Sequence, residues 1–345
     1  MNYLIPFIIL ITVVVFIHEY GHYYFAKRYG VGITDFSIGF GGEIFGWNDK
    51  FGTRWKICWI PLGGYVKFFG DRNVFSQAEQ LEVINKYSEE DRKKLFILKP
   101  LYQRSIIVAA GPLANFVLAI IIFSIINMSV GKDMTPAIIK DIKIDSPAHI
   151  AGFKKNDKIL SIEKKKVESI LQVSTFINTS TSKIINFTVL RDNQEISLFV
   201  KPILVDGEDS LGNKAKKRII GITLSPPLNN EFQKQPLSPS KAIFYSFKEV
   251  WFVTTASLNY LGKMILGSAD TSQLGGPIRI AKITGQVAEY GIIPFFSIMA
   301  YISISLGLIN LFPIPMLDGG HLMFYFFEKV LGRPLSQKTQ EGFFR

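Results

Sequence analysis

Three long apolar stretches stand out along this chain. The first, Tyr3–Ile17, contains no charged residue and runs into a short polar motif that ends at His22. The second, Ser105–Val130, is also uncharged, and in the third, Ile292–Phe327, Asp318 is the only acid. About 20 predominantly apolar residues in a helix cross a bilayer, so each stretch predicts a membrane-spanning helix.

A fourth stretch, Ala242–Gly267, is apolar but contains Lys248 and Glu249 and is rich in aromatic residues. Charged residues within such a segment are typical of a helix that lies on the membrane surface. We therefore predict an amphipathic surface helix here rather than a fourth span.

Two other regions favour β-strands. Phe36–Gly70 alternates glycine and aromatic residues around the polar turn Asn48-Asp49, which predicts a β-hairpin. Thr135–Pro202 alternates short apolar runs with polar turns, which predicts a small β-rich domain. The polar segment after it, which includes Asp206–Arg218, is predicted to be irregular.

The composition agrees with a membrane protein. Of 345 residues, 48% are hydrophobic, and the mean hydropathy of +0.23 is too high for an ordinary soluble protein. The net charge of +11 does not indicate nucleic-acid binding, because no groove-reading motif is present and the lysines cluster beside apolar segments or in the middle domain. Cys58 is the only cysteine, which excludes an intrachain disulfide and a thiolate zinc site.

The basic residues predict the orientation. None precedes the first span, whereas Lys27 and Arg28 follow it and four basic residues between 93 and 104 precede the second. Positive residues accumulate on the cytoplasmic side, so the loop between these spans is predicted to be cytoplasmic, with the N-terminus and the middle domain outside. The third span then returns and brings Asp318 to the side where the first span ends.

The motif His18-Glu19-Tyr20-Gly21-His22 closes the first span. His18 and His22 share one helix face, so both imidazoles can bind one zinc ion, and Glu19 can take a proton from a zinc-bound water. Short motifs also match by chance, but ionisable groups at membrane depth are costly and are therefore functional candidates. A signal peptide is the alternative for the apolar start; no Lys or Arg precedes it, and no small-residue cleavage site follows.

A catalytic zinc needs a third protein ligand. Asp318 is the main candidate, because a single carboxylate in an apolar span is costly unless it is paired or bound to a metal. His321 is the alternative ligand. Pro313 and Pro315 break the helix before this point, and the two glycines after Asp318 are expected to permit a backbone that a helix would forbid.

These motifs together resemble the site-2 protease family, and in particular its bacterial regulator-of-sigma-E protease branch. The resemblance rests on residues 18–22, on Gly111-Pro112-Leu113-Ala114-Asn115 in the second span, and on residues 310–321 (NLFPIPMLDGGH) in the third. It extends over nearly the whole chain and implies an intramembrane zinc protease. By this match His18, His22 and Asp318 are the metal ligands and Glu19 is the general base.

The resemblance also implies residues that bind substrate, which are Asn115, Asn310, Pro313, Gly64 and Tyr65. The segment Pro61–Lys67 is similar to the membrane-associated β-loop of these proteases. An edge strand there could pair with an extended substrate, and the alternative is a simple cytoplasmic hairpin.

The middle domain resembles a PDZ domain of the protease-associated type. Its signature, Ser146–Ile162, has Lys155-Asn156 where Pro-Gly is usual, and asparagine tolerates the left-handed turn required there. The length of the region predicts one such domain, with a peptide as its possible ligand. The family normally has one further span after the third, which is expected to be absent here because the sequence ends at Arg345.

The sequence therefore predicts a polytopic α-helical membrane protein with a membrane-associated β-hairpin loop and one periplasmic PDZ-like domain. The predicted parts are span one with the zinc motif (1–26), a cytoplasmic region (27–104) with the β-loop (36–70), span two (105–131), the PDZ-like domain (132–205), an irregular linker (206–240), the surface helix (241–268), a loop (269–291), span three with the Leu317-Asp318-Gly319 motif (292–330) and a C-terminal segment (331–345).

The predicted function is zinc-dependent cleavage of the transmembrane segment of single-span membrane proteins, of the anti-sigma-factor or remnant-signal-peptide type, in a bacterial inner membrane. Zn²⁺ is the predicted cofactor, and the lipid bilayer and the substrate are the predicted partners, without nucleic acid. Two alternatives remain open: a non-catalytic PDZ-bearing membrane scaffold, and an ion transporter in which the same polar groups form an ion path.

Overall fold

The computed structural model describes residues 3–70, 87–180, 182–208, 214–225, 234–265, 276–333 and 335. The helices in this part of the chain are α1 (Leu4–Arg28), α2 (Glu89–Arg92), α3 (Leu101–Ser129), α4 (Pro147–Ile150), α5 (Ile170–Thr179), α6 (Pro239–Ile265), α7 (Pro277–Glu289), α8 (Ile292–Asn310) and α9 (Asp318–Leu331). The strands are β1 (Ile33–Asn48), β2 (Arg54–Phe68), β3 (Lys132–Asp133), β4 (Ile139–Ile142), β5 (Lys158–Ile162), β6 (Lys165–Lys166), β7 (Ile185–Arg191), β8 (Gln194–Val200), β9 (Ile203–Glu208), β10 (Lys214–Ile219), β11 (Ile222–Leu224) and β12 (Lys234–Gln235).

The chain forms two compact units. The first consists of Met1–Ile122 and Pro277–Arg345, and the second of Phe123–Gly276. Three described helices, α1, α3 and α8, are long and apolar enough to cross a membrane, and they correspond to the three predicted spans.

Small residues let these helices approach closely in the first unit. A Cβ on Gly21 of α1 would lie 2.4 Å from the Ala110 carbonyl oxygen of α3, and a Cβ on Gly307 of α8 would lie 2.9 Å from the Pro112 oxygen. The Ser303 hydroxyl of α8 also donates to the Asn115 carbonyl of α3 at 2.9 Å. Contacts of this kind, rather than hydrophobic burial alone, hold helices together in lipid.

The predicted third span, 292–330, is two helices and not one. α8 ends at Asn310, a loop follows over residues 311–317, and α9 begins at Asp318. The two prolines lie in this loop, as their missing amide donors favour. The two glycines after Asp318 were expected to adopt a backbone that a helix forbids, and this expectation is wrong. Gly319 and Gly320 are helical, and the left-handed residue in the loop is Met316, with φ of 74°.

The predicted β-loop corresponds to the antiparallel pair β1–β2. Residues 35–38 of β1 have partners both in 54–57 and in 64–67, so the start of β1 lies between the two halves of β2. Many large apolar side chains of this hairpin are exposed, including Phe45, Phe51, Trp59, Ile60 and Leu62.

The second unit is built around an antiparallel sheet in the order β6-β5-β7-β8. Its core consists of apolar side chains of the sheet and of the helices α4 and α5, such as Ile159, Phe187 and Phe176. Asn156 has φ of 70°, the left-handed conformation expected at this turn. The unit therefore has the β-rich middle domain that the sequence predicts.

Two predicted irregular regions contain regular structure. Within 206–240, β10 pairs with β9, β11 with β4 and β12 with β3, so the sheet-forming region extends well past residue 205. Within 269–291, residues 277–289 form α7. The lysines of β10 and the polar residues of α7 weaken the apolar periodicity that would have predicted these elements. Most of the predicted C-terminal segment, 331–345, lies outside the described residues.

The predicted surface helix, 241–268, corresponds in sequence to α6, which is not among the described helices that are long and apolar enough to cross a membrane. One face is buried through Ala242, Ser246 and Val250, whereas Phe247 and Trp251 are exposed. The helix is therefore amphipathic.

Candidate metal centre

Three side chains from distant parts of the sequence converge in the first unit. The ligand atoms of His18, His22 and Asp318 all lie within 4.8 Å of one another. His18 Nε2 is 3.1 Å from Asp318 Oδ2, and His22 Nε2 is 3.5 Å from Asp318 Oδ1. Two imidazole nitrogens and one carboxylate around a common point form a donor set that suits zinc and leaves a fourth position open.

α1 places the two imidazoles side by side, and α3 orients them. His18 and His22 are four residues apart, and their Nε2 atoms are 3.3 Å from each other. The Nδ1 atom of His22 is 2.8 Å from the Ile107 carbonyl oxygen, and that of His18 is 3.2 Å from the Asn115 side-chain amide. Each Nδ1 therefore has a partner on α3, which leaves both Nε2 atoms directed at Asp318.

Gly111 lies between these two partners on the same face of α3. A Cβ at this position would lie 2.2 Å from His22 Nε2 and 2.5 Å from Cε1. No real Cβ makes such contacts, so only glycine allows the imidazole to lie against α3. Residues 107, 111 and 115 thus form one wall of the site, at the four-residue spacing that puts them on one helix face.

Asp318 is positioned by the loop before α9. A Cβ on Gly319 would lie 2.2 Å from the Phe312 carbonyl oxygen, and one on Gly320 would lie 2.4 Å from the Ile314 oxygen. The two glycines therefore let the loop fold tightly against the first turn of α9. This close approach directs Asp318, the first residue of the helix, at the two histidines.

Glu19 lies beside the cluster. His22, His18 and Asp318 lie close enough to act electrostatically on its carboxylate, and the Val66 backbone amide of β2 hydrogen-bonds to it. The general base predicted from the motif is therefore next to the predicted ligands, with β2 on its other side.

The residues that were predicted to bind substrate lie in different parts of the first unit. Gly64 packs against Glu19, since a Cβ there would lie 3.3 Å from Glu19 Cγ. Tyr65 is partly buried, and its hydroxyl accepts from Lys56 at 3.4 Å. Asn310 ends α8 and Pro313 is exposed in the loop that follows.

Asn115 differs from the other predicted substrate residues because it is completely buried. Its side chain contacts His18 rather than an open surface. His321, the alternative ligand, is not in the metal-binding cluster found among the described residues.

Two interactions that support the site are not predicted from the sequence. Arg104, at the start of α3, donates to both carboxylate oxygens of Glu328 in α9, with the shorter distance 2.5 Å. The side chains are only 9% and 17% exposed. The guanidinium also lies over the Tyr325 ring. No local pattern reveals this pair, which ties the helix that carries Asp318 to α3.

The second interaction ties the hairpin to α1. The Tyr23 hydroxyl, next to His22, donates to Asp49 Oδ2 at 2.8 Å, and the Trp55 indole donates to the same oxygen. Burial opposes ionisation of Asp49, but these donors and the Thr53 amide hold its pKa below the ordinary value. The tip of the hairpin is thus fixed to the last turns of α1.

Comparisons with known proteins agree with this geometry. The family model "Peptidase family M50" matches residues 6–345. "Putative zinc metalloprotease mll0638" of Mesorhizobium japonicum is 39% identical over 346 residues, which cover 99% of this chain and 93% of the relative. "Metalloprotease MmpA" of Caulobacter vibrioides is 34% identical over 363 residues, which cover 99% and 90%.

Among solved structures, the PDZ domain of the SdrC-like protein from Listeria monocytogenes matches with a TM-score of 0.21 and 18% identity. The match covers 27% of this chain and 90% of that domain.

Proposed function

The chain belongs to peptidase family M50, and from this premise we propose that it is a zinc-dependent endopeptidase that cuts peptide bonds within the membrane. The observation that carries the proposal is the cluster of His18, His22 and Asp318 beside Glu19, at the end of a helix apolar enough to cross a membrane. Burying ionisable groups at that depth costs free energy, so residues of this kind are candidates for a function.

Zinc is the proposed metal because the donor set fits it. His18, His22 and Asp318 supply three ligands, and the Nδ1 partners on α3 leave each Nε2 facing the carboxylate. The Mesorhizobium relative is named a putative zinc metalloprotease, which agrees with the metal that the sequence predicts. A zinc ion with three protein ligands polarises a carbonyl group and lowers the pKa of a bound water to about 7.

Glu19 performs the proton transfers in this proposal. Its carboxylate lies beside the three ligands and is oriented by the Val66 amide. It accepts the proton of the attacking water and later delivers it to the amine of the leaving peptide.

A substrate has to present an extended segment, because a helix keeps its carbonyl groups hydrogen-bonded internally. Among the described pairings, residues 64–68 of β2 pair on one side only, with β1. The free edge faces Glu19, since Val66 bonds to it and Gly64 packs on it. We infer that the substrate adds to this edge as a strand, with Tyr65 beside it, and that it also contacts Asn310 and Pro313 at the end of α8 and in the loop after it.

The proposed substrates are single-span membrane proteins, such as anti-sigma factors or remnant signal peptides, in a bacterial inner membrane. The basic residues at the end of α1 and before α3 support an active site that faces the cytoplasm. By the same rule we propose that the middle domain lies in the periplasm. We further propose that it is a PDZ-like module that takes a peptide ligand. The apolar side chains exposed on β1–β2 and on α6 support contact with lipid.

The test is Glu19→Gln in purified, zinc-loaded protein with a model single-span substrate. We expect zinc to stay bound at one ion per chain and cleavage to fall by at least about a thousandfold, because the change removes only the proton acceptor. Glu289→Gln, an exposed position at the end of α7, is the matched control and should cleave normally.

The same experiment separates the alternatives. A scaffold would show no chelator-sensitive cleavage by the wild-type protein, and a transporter would hold no zinc tightly. Normal turnover by Glu19→Gln would refute the assigned role.

A further inference from the structure

Asn115 is the one predicted substrate residue that the structure buries completely. Its carboxamide lies against His18 from the side opposite Asp318, because it contacts Nδ1 while Asp318 contacts Nε2. An amide in this place acts on the ligand rather than on an approaching peptide.

Metal binding through Nε2 determines which hydrogen-bonding group His18 needs beside its Nδ1. A neutral imidazole has one protonated nitrogen and one lone pair. If Nε2 donates its lone pair to a metal, the proton is on Nδ1, and a buried N–H requires an acceptor. His22 meets this requirement with the Ile107 carbonyl, 2.8 Å from its Nδ1.

Asn115 supplies the corresponding acceptor for His18. Its Oδ1 is buried and has no hydrogen-bond partner among the residues that the structure describes, whereas the amide group is 3.2 Å from His18 Nδ1. The oxygen and nitrogen of an asparagine exchange places by half a turn of the carboxamide, and hydrogen bonding decides between the two. With Oδ1 toward His18, the unpaired oxygen and the Nδ1–H satisfy each other.

We propose that Asn115 is a positioning residue that accepts a hydrogen bond from His18 Nδ1–H and so holds His18 in the tautomer that binds zinc through Nε2. The Ser303 hydroxyl of α8 donates to the Asn115 carbonyl, and Gly307 of the same helix packs against the Asn115 Cβ. α3 thus sets both ligand tautomers, with a backbone carbonyl for His22 and a side-chain carbonyl for His18. This inference rests on the proposed zinc site.

Variants at position 115 test whether the Asn115 side chain accepts a hydrogen bond from His18 or donates one to the substrate. Asn115→Leu removes the acceptor and should weaken zinc binding about 10- to 100-fold, the usual effect of losing such a partner. Asn115→Asp offers only acceptor oxygens and should bind zinc at least as tightly as the wild type. A residue whose amide donated to the substrate would show the opposite: zinc binding unchanged in both variants and turnover lost in Asn115→Asp.

The experiment measures zinc affinity by chelator competition in the detergent-purified full chain. Asn127→Leu is the matched control, because Asn127 is on the same helix and its amide donates to Ser246 instead of a ligand. It should bind zinc like the wild type. Nitrogen NMR of the zinc-loaded, histidine-labelled wild type should show His18 protonated at Nδ1, and so should Asn115→Asp.

Two results would overturn the proposal: wild-type zinc affinity in Asn115→Leu, or a zinc-loaded His18 protonated at Nε2. If Asn115→Leu fails to fold, weaker zinc binding by Asn115→Asp than by the wild type also overturns it. Absence of zinc binding by the wild type itself would instead refute the proposed function, so the two failures are distinguishable.

Discussion

Gly111→Ala offers the most direct test of the metal centre, because it adds one methyl group at a position where the structure has no room. The added Cβ would lie 2.2, 2.5 and 2.8 Å from three atoms of the His22 ring. These atoms belong to a rigid imidazole, so no flexible chain end can move aside.

The required displacement can be worked out from these distances. Normal contact between such atoms needs about 3.4 Å or more, so the ring or the helix has to move by more than about 1 Å. Zinc ligands tolerate about 0.2 Å. The ring is also fixed by the 2.8 Å bond from its Nδ1 to the Ile107 carbonyl, and moving it breaks that bond at a cost of about 1 kcal/mol. Overpacking adds about 1–3 kcal/mol.

We therefore expect Gly111→Ala to lose His22 as a ligand and to bind zinc at least about 100-fold more weakly, or about 2.7 kcal/mol. Chelator competition gives the affinity directly. Thermal unfolding with and without zinc gives an independent measure, because a metal that binds only the folded state raises the Tm. The zinc-dependent rise should be present in the wild type and absent in the variant.

Gly262→Ala in α6 is the control for the change from glycine to alanine. A Cβ there meets nothing within 4 Å. It should leave zinc binding intact and raise stability slightly, since alanine favours a helix by about 1 kcal/mol. If Gly111→Ala bound zinc with wild-type affinity, His22 would not lie against α3 as the structure places it.

Two further predictions concern the supports of the site. Arg104→Leu or Glu328→Leu should each destabilise the protein by about 3–5 kcal/mol, since either leaves a buried charge unpaired. The double variant should lose less stability than the sum of the two single losses. Equilibrium unfolding measures these free energies, and strictly additive losses would contradict the prediction. Burial opposes ionisation of Asp35, but Lys56 and the Thr34 hydroxyl hold its pKa below the ordinary value. Its stabilisation of the hairpin should be present above the unfolded pKa of about 3.9 and be lost as the pH falls through the lower folded pKa. Fluorescence of the hairpin tryptophans should follow this loss, and Asp35→Asn should remove the transition.

Much of the fold can be predicted from the sequence, because the relevant signals are local. Length and apolarity predict α1 and α3, and the glycine and aromatic pattern around Asn48-Asp49 predicts the hairpin. The prediction of 269–291 as a loop was wrong because the periodicity of α7 is diluted by polar residues. The strands β11 and β12 were missed because they are short and depend on partners far earlier in the chain.

The candidate ligands can also be predicted from the sequence alone. The spacing of His18 and His22 puts both on one helix face, and a single carboxylate in an apolar segment points to Asp318. The sequence could not predict why glycine is needed at 111, 319 and 320. At each position the reason is an atom that approaches from outside the helix that contains the glycine: from the His22 ring at 111, and from carbonyl groups of the preceding loop at 319 and 320.

The sequence by itself determined which groups can bind a metal and which helices can cross a membrane, since both follow from residue type and from spacing within one element. Only the tertiary structure decided what surrounds those groups. Arg104 and Glu328 are 224 positions apart, and Asn115 and His18 are 97 positions apart. Periodicity within a helix carries no information about a contact across such distances, because the contact exists only after separate helices have packed together.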